Sequence, residues 1–250
     1  MTQPRGEPVR GMEAQMSRKI LPLTLDRFAE LTAPCRTCLF WELDPVRRRH
    51  VSANDVMAEK EAWISEVLRE WGSCGRVAVV DGETVGFLIY APPSYVGGAG
   101  CFPTAPVSAD AVLLTTAWID PRHAGGGLGR MLIQGMARDL IRRTDVRAVE
   151  AFGDVGPLSG IHGRRCAAPA DFLARVGFKT HRAHPTAPRF RMELKQAVTW
   201  REEVEVALER LWGAVRPPRQ RHRPAPVPAH HEPMPLRRDD AQDSRRARPT

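Results

Sequence analysis

Apolar residues recur along the middle of the chain with the two spacings that distinguish helices from strands. In residues 59–72 they recur every three or four positions up to Gly72, which predicts an amphipathic helix that ends at this glycine. The same spacing over residues 128–143 predicts a second helix, with Leu128 and Leu132 on its apolar face. Two further helices are predicted over residues 170–176 and 199–215.

Strand patterns alternate with these helices. Two runs rich in β-branched and apolar residues flank Asp81-Gly82, which predicts a hairpin over residues 76–91. Residues 111–120 are almost continuously apolar, as is typical of a strand in the middle of a sheet. Further strands are predicted over residues 147–152 and 189–194. Together these elements predict one α/β domain with a mixed sheet.

Composition changes at both ends of the chain and sets the domain boundaries. The net charge is +8 over 250 residues, and residues 216–250 contribute nine arginines, four acidic residues and eight prolines. Such a segment cannot bury enough apolar surface to offset its ordering entropy, so we expect a disordered basic tail. Residues 1–17 predict a shorter tail, which leaves residues 18–215 as the domain. The arginines either contact nucleic acid or an acidic partner, or form a solvated extension, which we favour.

The sequence also favours one cellular compartment. No apolar run reaches the roughly 20 residues that a membrane span needs, and no apolar segment near the N-terminus resembles a secretory signal. We therefore expect a cytoplasmic protein without a membrane partner. The five cysteines are an odd number for such a chain, which favours free thiols over a disulfide framework.

The stretch DPRHAGGGLGRML, residues 120–132, places four glycines in five positions directly before the second predicted helix. The first amides of a helix lack partners within the helix, and glycines leave them open to an anion such as a phosphate. Arg130 would add positive charge there. The loop matches neither the Walker pattern nor the dinucleotide pattern, because it ends Gly129-Arg130-Met131 and lacks the last glycine of the latter. The alternative is a merely tight turn, for which one glycine suffices.

These residues resemble the GNAT superfamily of acyl-CoA-dependent N-acyltransferases, whose signature is a strand, a loop Arg/Gln-x-x-Gly-x-Gly/Ala and a helix. Gly127, Leu128 and Gly129 match the final part of the signature, whereas Ala124 stands at the Arg/Gln position. PADFLARVGF, residues 169–178, is similar to the later helix of the family with its terminal Gly-Phe.

The resemblance spans roughly residues 18–196 and implies a mixed, mostly antiparallel central sheet flanked by helices, with acetyl-CoA as cosubstrate. Loop amides would hold the CoA pyrophosphate, and the end of the preceding strand would pair with the pantetheine. The implied cofactor-binding residues are Ala117, Trp118, Ile119, Ala124, Gly125, Gly126, Gly127, Leu128, Gly129 and Arg130.

The catalytic residues follow less directly from the resemblance. The family frequently has a tyrosine acid where this chain has Leu173, and commonly an asparagine where it has Cys166. Cys166 is therefore either a weak proton donor near the thioester or an inert small residue, which we favour. For the general base, Glu150 on the strand after the second helix and Asp154 beyond it are candidates, unless both are ordinary surface carboxylates.

PCRTCLFWELDP, residues 34–45, contains a second candidate constellation. Cys35 and Cys38 have the spacing of a zinc knuckle, but no second pair of ligands accompanies them, so we assign no metal and leave a redox pair open. The resemblance would place this region over the acceptor, where four residues could contact it, although we favour a core position for the two aromatic ones. The four residues are Phe40, Trp41, Glu42 and Asp44.

The preferred hypothesis is an enzyme that transfers an acetyl group from acetyl-CoA to a primary amine of a small molecule or protein, as a monomer or homodimer. Leu173 and Ala124 motivate an alternative, a catalytically silent domain that binds acyl-CoA as a sensor or scaffold. The basic tail motivates another alternative, a nucleic-acid-associated protein.

Overall fold

A computed structural model describes residues 17–156 and 166–195. Its eight strands form one sheet in the order β1-β2-β3-β4-β5-β8-β7, and β6 pairs with β5 outside this path. Only the pairs β4–β5 and β5–β6 are parallel, so the predicted mixed, mostly antiparallel sheet is confirmed. The strands are β1 (Arg18–Pro22), β2 (Gly75–Val80), β3 (Glu83–Ala91), β4 (Ala111–Ile119), β5 (Ala148–Asp154), β6 (Ala168–Pro169), β7 (Lys179–Arg182) and β8 (Arg189–Glu193).

The α-helices of the described residues lie between these strands. They are α1 (Leu25–Ala29), α2 (Pro45–Arg49), α3 (Val56–Trp71), α4 (Leu128–Leu140) and α5 (Ala170–Arg175). The helix predicted up to Gly72 is α3, and Gly72 ends it in the left-handed conformation with φ 87°. The Gly72 amide donates to the carbonyls of Val67 and Leu68, as a glycine after a helix typically does. The prediction from sequence is therefore confirmed at this end.

The sheet buries an apolar cluster on each face. On one face, α4 and α5 pack on the central strands, with Met136 and Leu173 fully buried. On the other face, Ile64 of α3 and Phe28 of α1 pack against residues such as Phe87. Burying one such side chain contributes about 1.5–3 kcal/mol, so each helix is held mainly by its apolar face.

The predicted hairpin joins β2 to β3. Asp81 and Gly82 both have positive φ, 50° and 91°, as a turn of the I′ type requires. The Ser17 amide donates to the Asp81 carboxylate at 2.8 Å and so ties the start of β1 to the turn. A Cβ atom on Gly82 would meet nothing within 4 Å, so the turn lies in open space.

The strands β4 and β5 separate partway along their length. They pair from Ala111 to Leu113 of β4, where Leu113 lies opposite Glu150. Beyond this point β4 continues along β3, while β5 continues along β8 and β6. The register of β4 shifts against β3 so that Thr115 is an extra residue, and a bulge of this kind bends and twists a strand. A cleft therefore opens between the carboxyl ends of β4 and β5.

Several predictions concern residues that the structure does not describe. The helix predicted over residues 199–215, the tail over residues 216–250 and residues 1–16 all lie outside the described part of the chain. Within residues 17–156 and 166–195, no helix has the length and apolarity to cross a bilayer. The cytoplasmic location stays a prediction from the sequence.

Candidate functional site

The glycine loop lies between β4 and α4 and faces open space. Gly125 and Gly127 adopt the left-handed conformation with φ 79° and 80°, which glycine reaches without the steric cost paid by other residues. A Cβ atom on either glycine would meet nothing within 4 Å. The space above the loop is therefore free to admit a ligand close to the backbone.

The first turn of α4 presents amides at this loop. Gly127 is the N-cap residue, and among the described residues no side chain caps the helix. The Met131 amide makes the first helical bond, to the Gly127 carbonyl at 3.1 Å. The amides of Leu128, Gly129 and Arg130 precede it and point out of the helix, where the dipole also favours an anion. The arrangement fits the phosphate site that the sequence predicts.

Two arginines add positive charge at the loop. Arg18 of β1 donates from Nη1 to the Gly126 carbonyl at 2.8 Å, and so fixes the loop from the side. Arg130 is exposed in the first turn of α4, and its Nη2 is 3.4 Å from the Arg175 carbonyl at the end of α5. Arg18 could not be predicted as part of this site, because β1 lies far from the loop along the chain.

Ala124 differs from the other loop residues. Its amide donates to the Pro121 carbonyl at 3.2 Å and closes a 3₁₀ turn, Pro121–His123. The amide predicted to help hold a pyrophosphate is therefore already engaged. The side chain is exposed and apolar, so Ala124 supplies shape rather than a donor.

The end of β4 forms one wall of the cleft. Ala117, Trp118 and Ile119 pair with Leu88, Phe87 and Gly86 of β3, and all three are partly exposed. Backbone groups of a strand point alternately to its two edges, so those not directed at β3 face the cleft. They can pair with an extended ligand, as predicted for a pantetheine arm.

Helix α5 packs against the first turn of α4. A Cβ atom on Gly129 would lie 2.8 Å from the ring of Phe172, so this glycine permits the close packing of α4 on α5. Leu173 is fully buried in the apolar cluster beneath. The hydroxyls of the two tyrosines are engaged elsewhere, Tyr90 with Asp139 at 2.7 Å and Tyr95 with Glu70 at 3.0 Å.

Glu150 does not lie in the cleft as an available carboxylate. Its side chain is fully buried, and its oxygens are 3.1 Å from nitrogens of both Arg189 and Arg191 on β8. It also accepts the Ser108 amide at 3.2 Å. Burial alone would raise its pKa, but the hydrogen bonds from Ser108 and Arg191 and the positive charge of Arg189 hold the pKa below its ordinary value. A carboxylate so paired is a weak base, so the geometry argues against the general-base role predicted for Glu150.

The ion pairs of Glu150 belong to a wider network of charged side chains. Arg191 lies directly opposite Glu150 across the β5–β8 pair. It also binds both oxygens of Asp110, at 3.0 and 2.9 Å, and these hydrogen bonds raise the pKa of its guanidinium. The alternation Arg189, Arg191, Glu193 in the sequence indicates a charged strand face, and this pattern could have identified the network.

Asp154 occupies a different position on the same strand. It ends β5, lies beside Pro169 of β6, and is partly exposed. Its Oδ1 accepts the Gly156 amide at 3.0 Å, which orients the carboxylate. Asp154 therefore lies beyond the point where β4 and β5 separate.

Cys166 lies at the start of the segment that leads into β6. Its Sγ is 3.0 Å from Sγ of Cys38, and its carbonyl accepts the Trp41 indole N–H at 2.9 Å. The hydrogen bond with Cys38 and burial both raise the pKa of the Cys166 thiol. A thiol with a raised pKa is a poor proton donor to a leaving thiolate, which agrees with the inert role favoured from sequence.

Residues 34–45 contribute four buried side chains to the domain, Leu39, Trp41, Glu42 and Leu43. Trp41 is 2% exposed and stacks on Phe102, with ring centroids 5.0 Å apart, which confirms the predicted core position. Glu42, predicted as a possible acceptor contact, is instead buried in an ion pair with Lys60 of α3. Asp44 caps α2 by accepting the Val46 amide at 2.8 Å.

Phe40 and Cys35, the two remaining candidates of this segment, are both partly buried. Phe40 is partly buried and packs edge-on against Trp41 at 5.1 Å. Cys35 is a free, partly buried thiol. Within residues 17–156 and 166–195, no group of three His, Cys, Asp or Glu side chains is placed to hold a metal ion.

No family model and no curated protein matches the sequence. Among solved structures, it is similar to the PaiA N-acetyltransferase of Thermoplasma acidophilum in complex with coenzyme A, at 12% identity and a TM-score of 0.44, over 71% of this chain and 99% of that one.

Two further acetyltransferase structures match this chain with similar sequence identities and TM-scores. The GNAT-family protein YhbS of Escherichia coli, in complex with CoA, is 17% identical with a TM-score of 0.44, over 74% of this chain and 87% of that one. The aminoglycoside acetyltransferase AAC(6')-Ib, with coenzyme A and kanamycin, is 16% identical with a TM-score of 0.46, over 72% and 96% of the two chains.

Proposed function

We propose that this chain is a GNAT-type N-acetyltransferase that binds acetyl-CoA and transfers the acetyl group to a primary amine. The observation that carries the proposal is the junction of two features. An uncapped helix N-terminus behind left-handed Gly125 and Gly127 adjoins the cleft where β4 and β5 separate. One feature suits a pyrophosphate and the other an extended, amide-containing arm.

The proposed binding mode uses mainly backbone groups. The amides of residues 128–130 hold the pyrophosphate, and Arg18 and Arg130 lie nearby to offset its charge. The cleft-facing edge of Ala117–Ile119 pairs with the pantetheine, which directs the thioester past the carboxyl end of β5. The missing Arg or Gln at Ala124 removes one side chain from this site, but leaves the helical amides in place.

In the proposed reaction, the neutral amine attacks the thioester carbonyl, the tetrahedral intermediate expels CoA thiolate, and the amine proton leaves to a base. Asp154 is the proposed base, because it is partly exposed beyond the separation of the strands. Glu150 is not retained in this role, for the reasons of burial and pairing given above. Because Leu173 and Cys166 offer no effective acid, we assign protonation of the thiolate to solvent.

The test is transfer of acetyl groups to a panel of amines. Full-length protein is incubated with acetyl-CoA and a polyamine, an aminoglycoside, a peptide with a free N-terminus or a peptide with one lysine, and acetylated product is detected by mass spectrometry. With an accepted amine, Asp154→Asn should lower kcat by about 10² while leaving the Kd for acetyl-CoA unchanged. Asparagine preserves the acceptor for the Gly156 amide, so the variant changes charge rather than shape. Equal kcat in Asp154→Asn would remove the base assignment.

One observation favours a second function. Leu173 is fully buried where an acid would be expected to act, and Glu150 is neutralised by arginines. A domain built in this way could bind acyl-CoA without turning it over. Tight acetyl-CoA binding without product from any amine in the panel would favour that sensor or scaffold function over the enzyme. The nucleic-acid association of residues 216–250 stays a prediction from composition.

A further inference from the structure

Two cysteines far apart in the sequence meet beside the proposed cleft. The Sγ atoms of Cys38 and Cys166 are 3.0 Å apart, although 128 positions separate the residues. Both residues are partly exposed, so small reagents can reach them. Cys166 leads into β6, which runs beside β5 at the end of the cleft.

The backbones on both sides of this contact are held in place. The Trp41 indole donates to the Cys166 carbonyl at 2.9 Å, and Trp41 is itself stacked on Phe102. On the other side, the Lys60 ammonium donates to the Cys38 carbonyl at 3.0 Å and pairs with buried Glu42. The positions of the two sulfur atoms are therefore set by hydrogen bonds to the Cys38 and Cys166 carbonyls, which do not involve the sulfurs themselves.

The surroundings divide the pair into one thiolate and one thiol. The hydrogen bond from Cys166 lowers the pKa of Cys38 to about 6, helped by the Phe40 amide and Lys60 and opposed by burial. The same hydrogen bond raises the pKa of Cys166, so this residue keeps its proton. In Cys35, burial raises the pKa, which leaves Cys38 as the more reactive thiol of the segment.

We propose that Cys38 and Cys166 form a reversible redox site, which peroxide converts to an intramolecular disulfide. Closing the sulfur–sulfur distance from 3.0 Å to bonding distance needs a movement of about 1 Å. The Cys38 thiolate attacks one peroxide oxygen, breaks the O–O bond and becomes a sulfenic acid, while hydroxide leaves. The Cys166 sulfur then attacks the Cys38 sulfur and forms the S–S bond, and the Cys166 thiol proton leaves with the sulfenic hydroxyl as one water. The proton that Cys38 released on ionising neutralises the hydroxide to the second water.

The balance is two thiols and one hydrogen peroxide to one disulfide and two waters, with two electrons passing from sulfur to oxygen. A dithiol reductant reverses the step by exchange. The disulfide would fasten the segment before α2 to the segment before β6. Because the linked residues are 128 positions apart, the crosslink restricts the unfolded chain and should raise the Tm of the oxidised protein.

The test is a peptide map that does not depend on acetyl transfer. Reduced full-length protein is treated with hydrogen peroxide, remaining thiols are alkylated, and the protein is digested with trypsin without reduction. Trypsin separates the three relevant cysteines, because Cys35 falls in residues 28–36, Cys38 in residues 37–47 and Cys166 in residues 166–175. We expect peptide 37–47 linked to 166–175 with the loss of two hydrogens, and release of both by dithiothreitol.

Single cysteine variants test whether the disulfide joins Cys38 to Cys166. Cys38→Ser or Cys166→Ser should abolish the crosslink and the rise in Tm, whereas Cys101→Ser, at an exposed thiol, should leave both unchanged. A link between peptides 28–36 and 37–47, oxidation confined to Cys101, or no link in the parent protein would each overturn the proposal. Because the map of the parent protein decides the matter, a variant that fails to fold does not weaken the test. Failure of acetyl transfer would leave the map unaffected, so the two proposals fail separately.

Discussion

Substitution of Gly127 by glutamate tests the proposed pyrophosphate site most directly. Gly127 has φ 80° with nothing within 4 Å of a Cβ atom, so the new side chain fits but the backbone is strained. A left-handed conformation costs a residue other than glycine about 1–2 kcal/mol. For a domain of this size, that cost lowers Tm by roughly 2–8 °C. Gly82 shares this geometry, with φ 91° and open space, in the β2–β3 turn, so Gly82→Glu is the matched control for strain.

The glutamate side chain should also weaken the binding of CoA directly, through its negative charge at the site. A carboxylate at residue 127 would lie beside the site proposed for the pyrophosphate, and two like charges about 4 Å apart repel by about 1 kcal/mol in water or about 4 kcal/mol near a protein surface. This range corresponds to a rise in Kd of about 5-fold to about 10³-fold. Gly127→Gln adds the same bulk without charge, so the difference between the two variants isolates the electrostatic part.

Calorimetric titration with CoA measures these effects, and thermal unfolding checks that each variant is folded. We expect a large loss of affinity in Gly127→Glu, a smaller loss in Gly127→Gln and none in Gly82→Glu. Raising the salt concentration should narrow the difference between the two Gly127 variants, because the screening length falls from about 10 Å at 0.1 M to about 3 Å at 1 M. A folded Gly127→Glu protein that binds CoA as tightly as the parent would refute the assignment of the loop.

Three further predictions concern stability. Glu150→Gln leaves the buried Arg189 charge poorly paired and should lower the free energy of unfolding, measured in urea, by about 3–5 kcal/mol. Because folding lowers the Glu150 pKa, the stabilisation by the Glu150 carboxylate is complete above its pKa in the unfolded chain. This stabilisation should disappear as pH falls through the lower pKa of the folded protein. Lys60→Met should lower the free energy of unfolding by a similar amount, because it leaves the buried Glu42 carboxylate without its partner. The double variant Lys60→Met, Glu42→Leu should recover most of this loss, and a double variant as unstable as the single one would contradict the prediction. Truncation after Val215 should leave Tm and the Kd for CoA nearly unchanged, and a large drop in either would show that residues 216–250 contribute to the domain.

Features determined by neighbouring residues could be predicted from the sequence. The end of α3 at Gly72, the Asp81-Gly82 turn and the left-handed glycines of the loop all follow from local backbone preferences. The proposed phosphate site shares this property, since it consists of consecutive amides and needs glycines at fixed positions. For this reason a short stretch sufficed to predict it.

Features determined by distant residues could not be predicted in the same way. The sequence does not reveal that β8 inserts beside β5 and brings Arg191 opposite Glu150. Nor does the spacing of Cys35 and Cys38 reveal that the partner of Cys38 is Cys166, because that contact depends on two segments meeting across the fold. Long-range pairings of this kind decide whether a polar side chain is available or already engaged.

The two candidate carboxylates show how strand pairing determines whether a side chain is available for chemistry. Glu150 and Asp154 lie four positions apart on β5, which places them on the same face about 13 Å from each other. Glu150 lies at the last position where β5 still pairs with β4, and arginines of the neighbouring strand enclose it there. Asp154 lies past the separation, beside β6, where its carboxylate is partly exposed. The bulge at Thr115, which bends β4, accompanies the separation of the strands, so it helps to determine which of the two carboxylates the proposed amine acceptor would reach.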